Sequence, residues 1–407
     1  MRHFLKSLSI KYEQFLLFLH KYRTGFIIGT EVFMISLLLL GWYMEKKSAF
    51  ISTVLSSGEE SDSGKKKDYI KWVDFTVPAD AMTRAFRYDV ATCQESCHLN
   101  WIELLAYLGA KYGGDFSHYT SADMERLATR LQEGITMEEL TKDSKYYSYY
   151  KEVYTAVLDG MVGYYEIEIP KSEAPAFALA DTQIYETNPG AAGPSSSDQI
   201  PTNESETVWV TKYGLKAFHP LAKNFPYSHY DDFGVSRSYG YRRQHLGHDM
   251  MGQTGTPITA AESGTVEAIG WNQYGGWRLG IRSFDTKRYY YYAHLRQNYP
   301  YQSNLKEGSI VTAGDVIGYM GRTGYSAKEN TNNIDETHLH FGIQLIFDAS
   351  QKEGNGEIWV DCYQIIKFLS INRSETAKVT GTKEWSRIYQ MKDPAVEKQI
   401  SIMSTGE

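Results

Sequence analysis

The sequence predicts a multidomain α+β protein: an N-terminal transmembrane helix, a small mainly helical domain and a C-terminal antiparallel β-rich domain. Three observations carry that reading. Residues 24–44 are almost uninterrupted apolar sequence, the stretch from about 100 to 160 repeats its apolar residues at helical spacing, and from Pro257 onward short alternating runs are bounded by glycines and turns.

The apolar run contains Phe26-Ile27-Ile28, Val32-Phe33-Met34-Ile35 and Leu37-Leu38-Leu39-Leu40, and about 20 such residues are what a helix needs to cross the hydrocarbon of a bilayer. It is too long for the core of a signal peptide, and Trp42-Tyr43 reads as an interfacial anchor where a cleavage site would need small residues. Arg2, Lys6, Lys11, Lys21 and Arg23 precede the span, while only Lys46 and Lys47 follow closely. That asymmetry places segment 1–23 in the cytoplasm and everything after the span outside.

Residues 45–68 form a linker, with Ser56-Ser57-Gly58-Glu59-Glu60-Ser61-Asp62-Ser63-Gly64-Lys65 too polar to order itself. An extracytoplasmic helical domain follows over 69–170. Val73–Val77 and Tyr165–Ile169 alternate like strands at its two ends and are candidates to pair. Between them Asn100 should cap a helix that buries Trp101, Leu104, Leu105 and Leu108 and stops at Gly113-Gly114. Thr136-Met137-Glu138-Glu139 has the form of a capping box, and Tyr150, Val153, Tyr154 and Val157 make a second apolar face. The domain resembles lysozyme-like bundles faintly, but Ala110-Lys111-Tyr112 stands where such a helix would carry a glutamate. Its expected work is therefore spacing, substrate docking or binding of cell-envelope partners. Cys93 and Cys97, four apart on a helix, are poorly placed to bond each other, so with Cys362 they read as free or intermolecular thiols.

Residues 171–209 form a second connector containing Asn188-Pro189-Gly190-Ala191-Ala192-Gly193-Pro194, which would let a tethered domain search a volume around its anchor. The β-rich domain occupies 210–372, with strands at Pro257–Ala261, Thr265–Ile269, Arg278–Arg282 and Tyr289–His294. Residues 373–407 are a tail. The chain has 407 residues, 42% hydrophobic and 14% aromatic, and its mild formal charge of −7 gives no sign of a nucleic-acid partner. Its 32 tyrosines read chiefly as core and rim residues.

Chemistry is concentrated in three short motifs: His245-Leu246-Gly247-His248-Asp249, Tyr292-Ala293-His294-Leu295 and His338-Leu339-His340. Catalytic zinc takes three protein ligands and leaves a fourth position for water. His245, Asp249 and His340 can supply two imidazoles and a carboxylate. On a strand His338 and His340 share a face, so one can bind metal while the other handles a proton. His248 reads as a bystander or an outer partner, and His3, His20, His98, His118, His219 and His229 as structural or surface residues.

The order His-x-Gly-x-Asp, Tyr-Ala-His-Leu, His-Leu-His-Phe resembles the M23 zinc peptidases, the LytM and lysostaphin-like peptidoglycan endopeptidases. The resemblance covers roughly residues 210 to 370. Glycine positions such as Gly255-Thr256-Pro257, Ser263-Gly264-Thr265-Val266 and Gly321-Arg322-Thr323-Gly324 agree with it. It implies Zn2+ held by His245, Asp249 and His340, with His338 and His294 catalytic, and peptidoglycan as the substrate outside a single-pass membrane anchor. His338 is the expected general base, with His294 stabilising the oxyanion or protonating the leaving amine, and the two roles are interchangeable at this level. Two features depart from the family: a long segment from Tyr325 to Thr337, and Gly342 where many members have glutamate. The rhythm of Ala260–Val266 and Val311–Gly318 also fits lipoyl and biotinyl carriers, but a carrier has no use for Asp249. The alternative is a catalytically silent M23-like scaffold or activator of a cell-envelope assembly, against which the complete ligand set speaks.

Overall fold

The computed structural model describes residues 71–171, 207–238, 242–348, 351 and 356–405. The expected transmembrane helix 24–44, its flanking segment 1–23, all of the first linker and most of the second lie outside these residues. Among the described residues no helix is long and apolar enough to cross a membrane.

Strand β1 (Lys71–Val73) leads into helices α1 (Ala79–Thr92), α2 (Trp101–Tyr112), α3 (Ser121–Gln132), α4 (Met137–Thr141) and α5 (Tyr147–Leu158). Their ends are set locally. The Asn100 side chain accepts from the amides of Ile102 and Glu103 at 3.0 and 3.2 Å, and Gly113 closes α2 in the left-handed conformation at φ 62°. Thr136 and Glu139 form the reciprocal capping box of α4. Met82, Phe86, Leu104, Leu105, Leu108, Met124 and Val157 are fully buried between these helices.

The remainder is β-rich: β2 (Val162–Pro170), β3 (Thr207–Leu215), β4 (Ser236–Ser238), β5 (Arg242–Gln244), β6 (His248–Met251), β7 (Pro257–Thr259), β8 (Gly264–Asn272), β9 (Gly276–Ser283), β10 (Arg288–Ala293), β11 (Ile310–Val311), β12 (Val316–Tyr319), β13 (His338–Leu345) and β14 (Ile358–Val360). Helix α6 (Tyr363–Leu369) is followed by β15 (Thr376–Lys378), β16 (Trp385–Arg387), β17 (Met391–Lys392) and α7 (Pro394–Thr405). The main sheet runs β1-β14-β13-β10-β9-β8-β11, and β6 also pairs with β13. The four strands expected between Pro257 and His294 are β7 to β10. Alternation places Leu279, Ile281, Tyr290, Tyr292, Phe341 and Ile343 in the core.

Three expectations are corrected. The strand candidates at 73–77 and 165–169 do not pair: β1 lies parallel to β14, and β2 lies antiparallel to β3 from Val162↔Leu215 to Pro170↔Thr207. A period of two announces a strand without naming its partner. The second connector is no tether, because its two ends are held side by side by that same pairing. Residues 67–407 form one compact unit in which the helices pack on the β region. Phe368 of α6 meets Phe86 and Trp101 at ring distances of 6.0 and 5.6 Å. Arg288, buried at the junction, reaches Glu262 at 2.9 Å, Asp285 at 3.0 Å and the carbonyl of Ala156 at 3.2 Å. Residues 373–405 are likewise no loose tail, since β17 joins β2 and buried Asp393 bonds Lys216 at 3.0 Å and Ser263 at 2.7 Å. Cys93, Cys97 and Cys362 are all free of disulfides.

Candidate metal centre

The site is built on the pairing of β6 with β13, whose register sets His340 directly opposite Asp249. Side chains of a cross-strand pair share a face, so the carboxylate and the imidazole meet without any long-range adjustment. Before β6 the chain turns through Leu246-Gly247, and the amide of His245 bonds the carbonyl of Val235 at 3.0 Å, which brings its ring back over Asp249. Gly247 is required by close approach: a Cβ there would fall 2.5 Å from Cε1 of His340.

Three ligand atoms converge. His245 Nε2 is 3.0 Å from Asp249 Oδ1 and 3.1 Å from His340 Nδ1, and His340 Nδ1 is 2.9 Å from the same carboxylate oxygen. Ligand atoms ~2.0–2.1 Å from a tetrahedral zinc lie roughly 3.3 Å apart, so two imidazoles and one carboxylate in this arrangement fit the ion in both chemistry and spacing. His245, Asp249 and His340 are the one group of three metal-ligating side chains of this kind among the described residues.

Burial alone would lower the pKa of His245, but its hydrogen bonds to Asp232 and Asp249 raise it to about 9. Burial would push the Asp249 carboxyl up, yet His245 and His340 hold it well below the usual carboxylate range. His340 is lowered, by burial first and then by the neighbouring histidines, despite its bond to Asp249. A proton on His245 thus stands between three atoms that a cation would otherwise draw together.

His338 and His294 line the same rim. His338 alternates with His340 on β13, its Nδ1 bonds the carbonyl of Glu336 at 2.9 Å, and its Nε2 lies 3.8 Å from Asp249 Oδ1. His294 follows β10 in a left-handed backbone at φ 62°, a conformation uncommon for residues other than glycine. Its Nδ1 bonds the carbonyl of Thr323 at 2.9 Å, and its ring centroid is 4.8 Å from that of His338. Burial depresses the His294 pKa strongly, so the ring is neutral. In both histidines Nδ1–H is given to a backbone carbonyl, leaving Nε2 as the acceptor.

His248 points to the other face of β6, where its Nε2 pairs with His229 Nδ1 at 2.8 Å. Two residues near the site were not singled out in the sequence. Asp232 places its main-chain oxygen 3.3 Å and its Oδ2 3.2 Å from His245 Nδ1, and Arg237 bonds both the Asp232 carboxylate and, at 3.2 Å, Asp249 Oδ2.

The long 325–337 segment is pinned by Asn330, whose side chain accepts from Trp277 Nε1 and the Asn298 amide, both at 2.9 Å. Its first residue, Tyr325, packs 5.8 Å from the His294 ring with the Arg243 guanidinium 4.9 Å from its own centroid. At Gly342 a Cβ would lie 2.5 Å from the ring of Trp359, which fills the place a glutamate would need.

Residues 243–353 match Peptidase family M23. A stretch of 130 residues is 38% identical to the L-Ala–D-Glu endopeptidase of Bacillus subtilis, covering 32% of this chain and 38% of that protein. Another of 141 residues is 31% identical to lysostaphin of Staphylococcus simulans, covering 34% of this chain and 23% of that protein. Among solved structures, the lysostaphin catalytic domain from Staphylococcus simulans is 29% identical, with 35% of this chain and 92% of that one covered at a TM-score of 0.28. The chain therefore spans less than two fifths of the length of these two curated relatives. The M23 match contains His245, Asp249, His294, His338 and His340 and begins well beyond the helices at 79–158.

Proposed function

We propose that this protein is a zinc-dependent endopeptidase that hydrolyses peptide bonds in peptidoglycan, in its stem peptides or cross-links. In this reading residues 24–44 anchor it in the cell membrane, with the N-terminus inside and the catalytic region outside. The observation that carries the reading is the meeting of His245 Nε2, Asp249 Oδ1 and His340 Nδ1 within 3.1 Å of one another, beside His294 and His338. The names of the relatives, an L-Ala–D-Glu endopeptidase and lysostaphin, support the substrate class.

Zinc held by His245, Asp249 and His340 would lower the pKa of a water molecule towards ~7 and polarise the scissile carbonyl. The chain's own groups do the rest. His338, whose Nε2 is an acceptor 3.8 Å from Asp249, takes the proton of the attacking water and returns it to the leaving amine. His294, neutral and tied through Nδ1 to Thr323, keeps Nε2 as an acceptor beside the His338 ring, so its part is to take up a proton and relay it to the leaving amine, a role the two rings can exchange. Burial of both rings limits competing water at the reacting carbonyl.

The test is metal analysis of the purified protein, followed by digestion of defined cell walls with and without chelator and mass analysis of the fragments. Bound zinc and chelator-sensitive release of peptide fragments are expected. A zinc-free protein that leaves the wall peptides intact after zinc is supplied would overturn the reading.

A further inference from the structure

Asp232 and Arg237 lie immediately behind the ligand group and upstream of residue 243, where the M23 match begins. We propose that they are positioning residues for the metal: Asp232 fixes the ring of His245, and Arg237 decides which oxygen of Asp249 faces the ion. The inference rests on the zinc reading above and concerns what makes that site selective in geometry.

The argument starts from His245. An imidazole can turn about its bond to Cβ, and only one orientation presents Nε2 to Asp249 and His340. The Asp232 main-chain oxygen accepts from Nδ1–H at 3.3 Å, and its Oδ2 lies 3.2 Å from the same nitrogen as an ion-pair contact. The two Asp232 oxygens oppose the single 3.5 Å approach of Arg237 Nη2 to the same nitrogen, so a proton stays on Nδ1 and Nε2 is the atom that would exchange its proton for a cation. Ligating histidines in general give their outer N–H to such a carboxylate, which also strengthens the ring as a donor.

A buried carboxylate is costly without compensation. Arg237 supplies it, bonding Asp232 and extending the same Nη2 to Asp249 Oδ2 at 3.2 Å. With Oδ2 occupied, Oδ1 is the oxygen that faces His245 Nε2 and His340 Nδ1. Asp232 Oδ1 meanwhile is buried with no hydrogen-bond partner.

The test uses the full-length protein, stripped of metal and titrated with Zn2+ against a competing chromophoric chelator, with Co2+ substitution as a second readout. Asp232→Ala should weaken zinc roughly 10–100-fold, with Asp232→Asn falling between it and the wild type, since such outer partners are typically worth that much. Arg237→Gln should lower the affinity more than Arg237→Lys, which keeps the charge. The visible absorption of the Co2+ form should shift in Asp232→Asn while the melting temperature of the metal-free protein stays close to wild type. If the wild type binds zinc but Asp232→Ala and Asp232→Asn bind it equally tightly with an unaltered Co2+ spectrum, the inference is overturned and the proposed function stands. A wild type that holds no zinc overturns both.

Discussion

Two histidine clusters sit on opposite faces of β6 and differ in one ingredient. On the front, His245 and His340 close on Asp249. On the back, His248 bonds His229 at 2.8 Å between the ring of Tyr363 and that of Tyr227, and His219 bonds Tyr227 at 3.0 Å. Chiefly because it is buried, His248 is pushed down to about 3, and burial also lowers His229 and His219. Those rings are neutral partners in packing. On the front, carboxylates lift His245 to about 9, and the same carboxylates would hold a cation. What separates the two faces is not the number of histidines but the buried carboxylate of Asp249 between His245 and His340.

The comparison can be broken most directly by exchanging the faces' fates. Asp249→Ala should abolish zinc retention and wall cleavage together, whereas His248→Phe should keep both; equal zinc loss in the two variants, measured by metal analysis, would erase the distinction. Next in size, His338→Ala should retain zinc and lose ~10²–10⁴-fold in turnover, the usual worth of a general acid–base group, read by muropeptide release at saturating substrate. Gly247→Ala, which drives a methyl into the His340 ring, should weaken zinc by ~10–100-fold, a loss like that of an outer partner. The back face answers in stability: His229→Ala leaves His248 Nε2 unpaired and should cost about 1–3 kcal/mol in thermal or denaturant unfolding with zinc affinity intact.

The pH dependence sharpens the same contrast. In the metal-free protein His245 is raised above its unfolded value of roughly 6.5, so its stabilising contribution is complete below that pH and disappears as pH rises through about 9. Zinc competes with that proton. Affinity should therefore rise with pH up to about 9 while the metal-free melting temperature falls over the same interval. Titration calorimetry at pH 7 in buffers of different ionisation enthalpy should show a proton released on binding. Absence of any buffer dependence would mean that His245 is already neutral.

The parts of this molecule that were legible in the sequence are those fixed by near neighbours or by alternation. Asn100 and Thr136 cap their helices through amides two and three residues away, and His338 and His340 share a face because strands alternate. The meeting of His245, Asp249 and His340 was readable because such residue types are costly to bury without a partner. Asp232 and Arg237 carried no such signal, being ordinary loop and strand residues until folding sets them beside His245. The pairing of β1 with β14 was equally silent, since two short strands nearly three hundred positions apart in sequence find each other only through packing. The reach imagined for the second connector failed for the same reason: β2 and β3 alternate on either side of it, and nothing in their residues says that they close on one another.

That closure has a practical outcome. Nine cross-strand residue pairs, from Val162↔Leu215 to Pro170↔Thr207, grip the chain on either side of the second connector. A protease nick between 172 and 206 would sever the covalent thread without releasing the pieces, and the cut protein should migrate as one species until it is denatured.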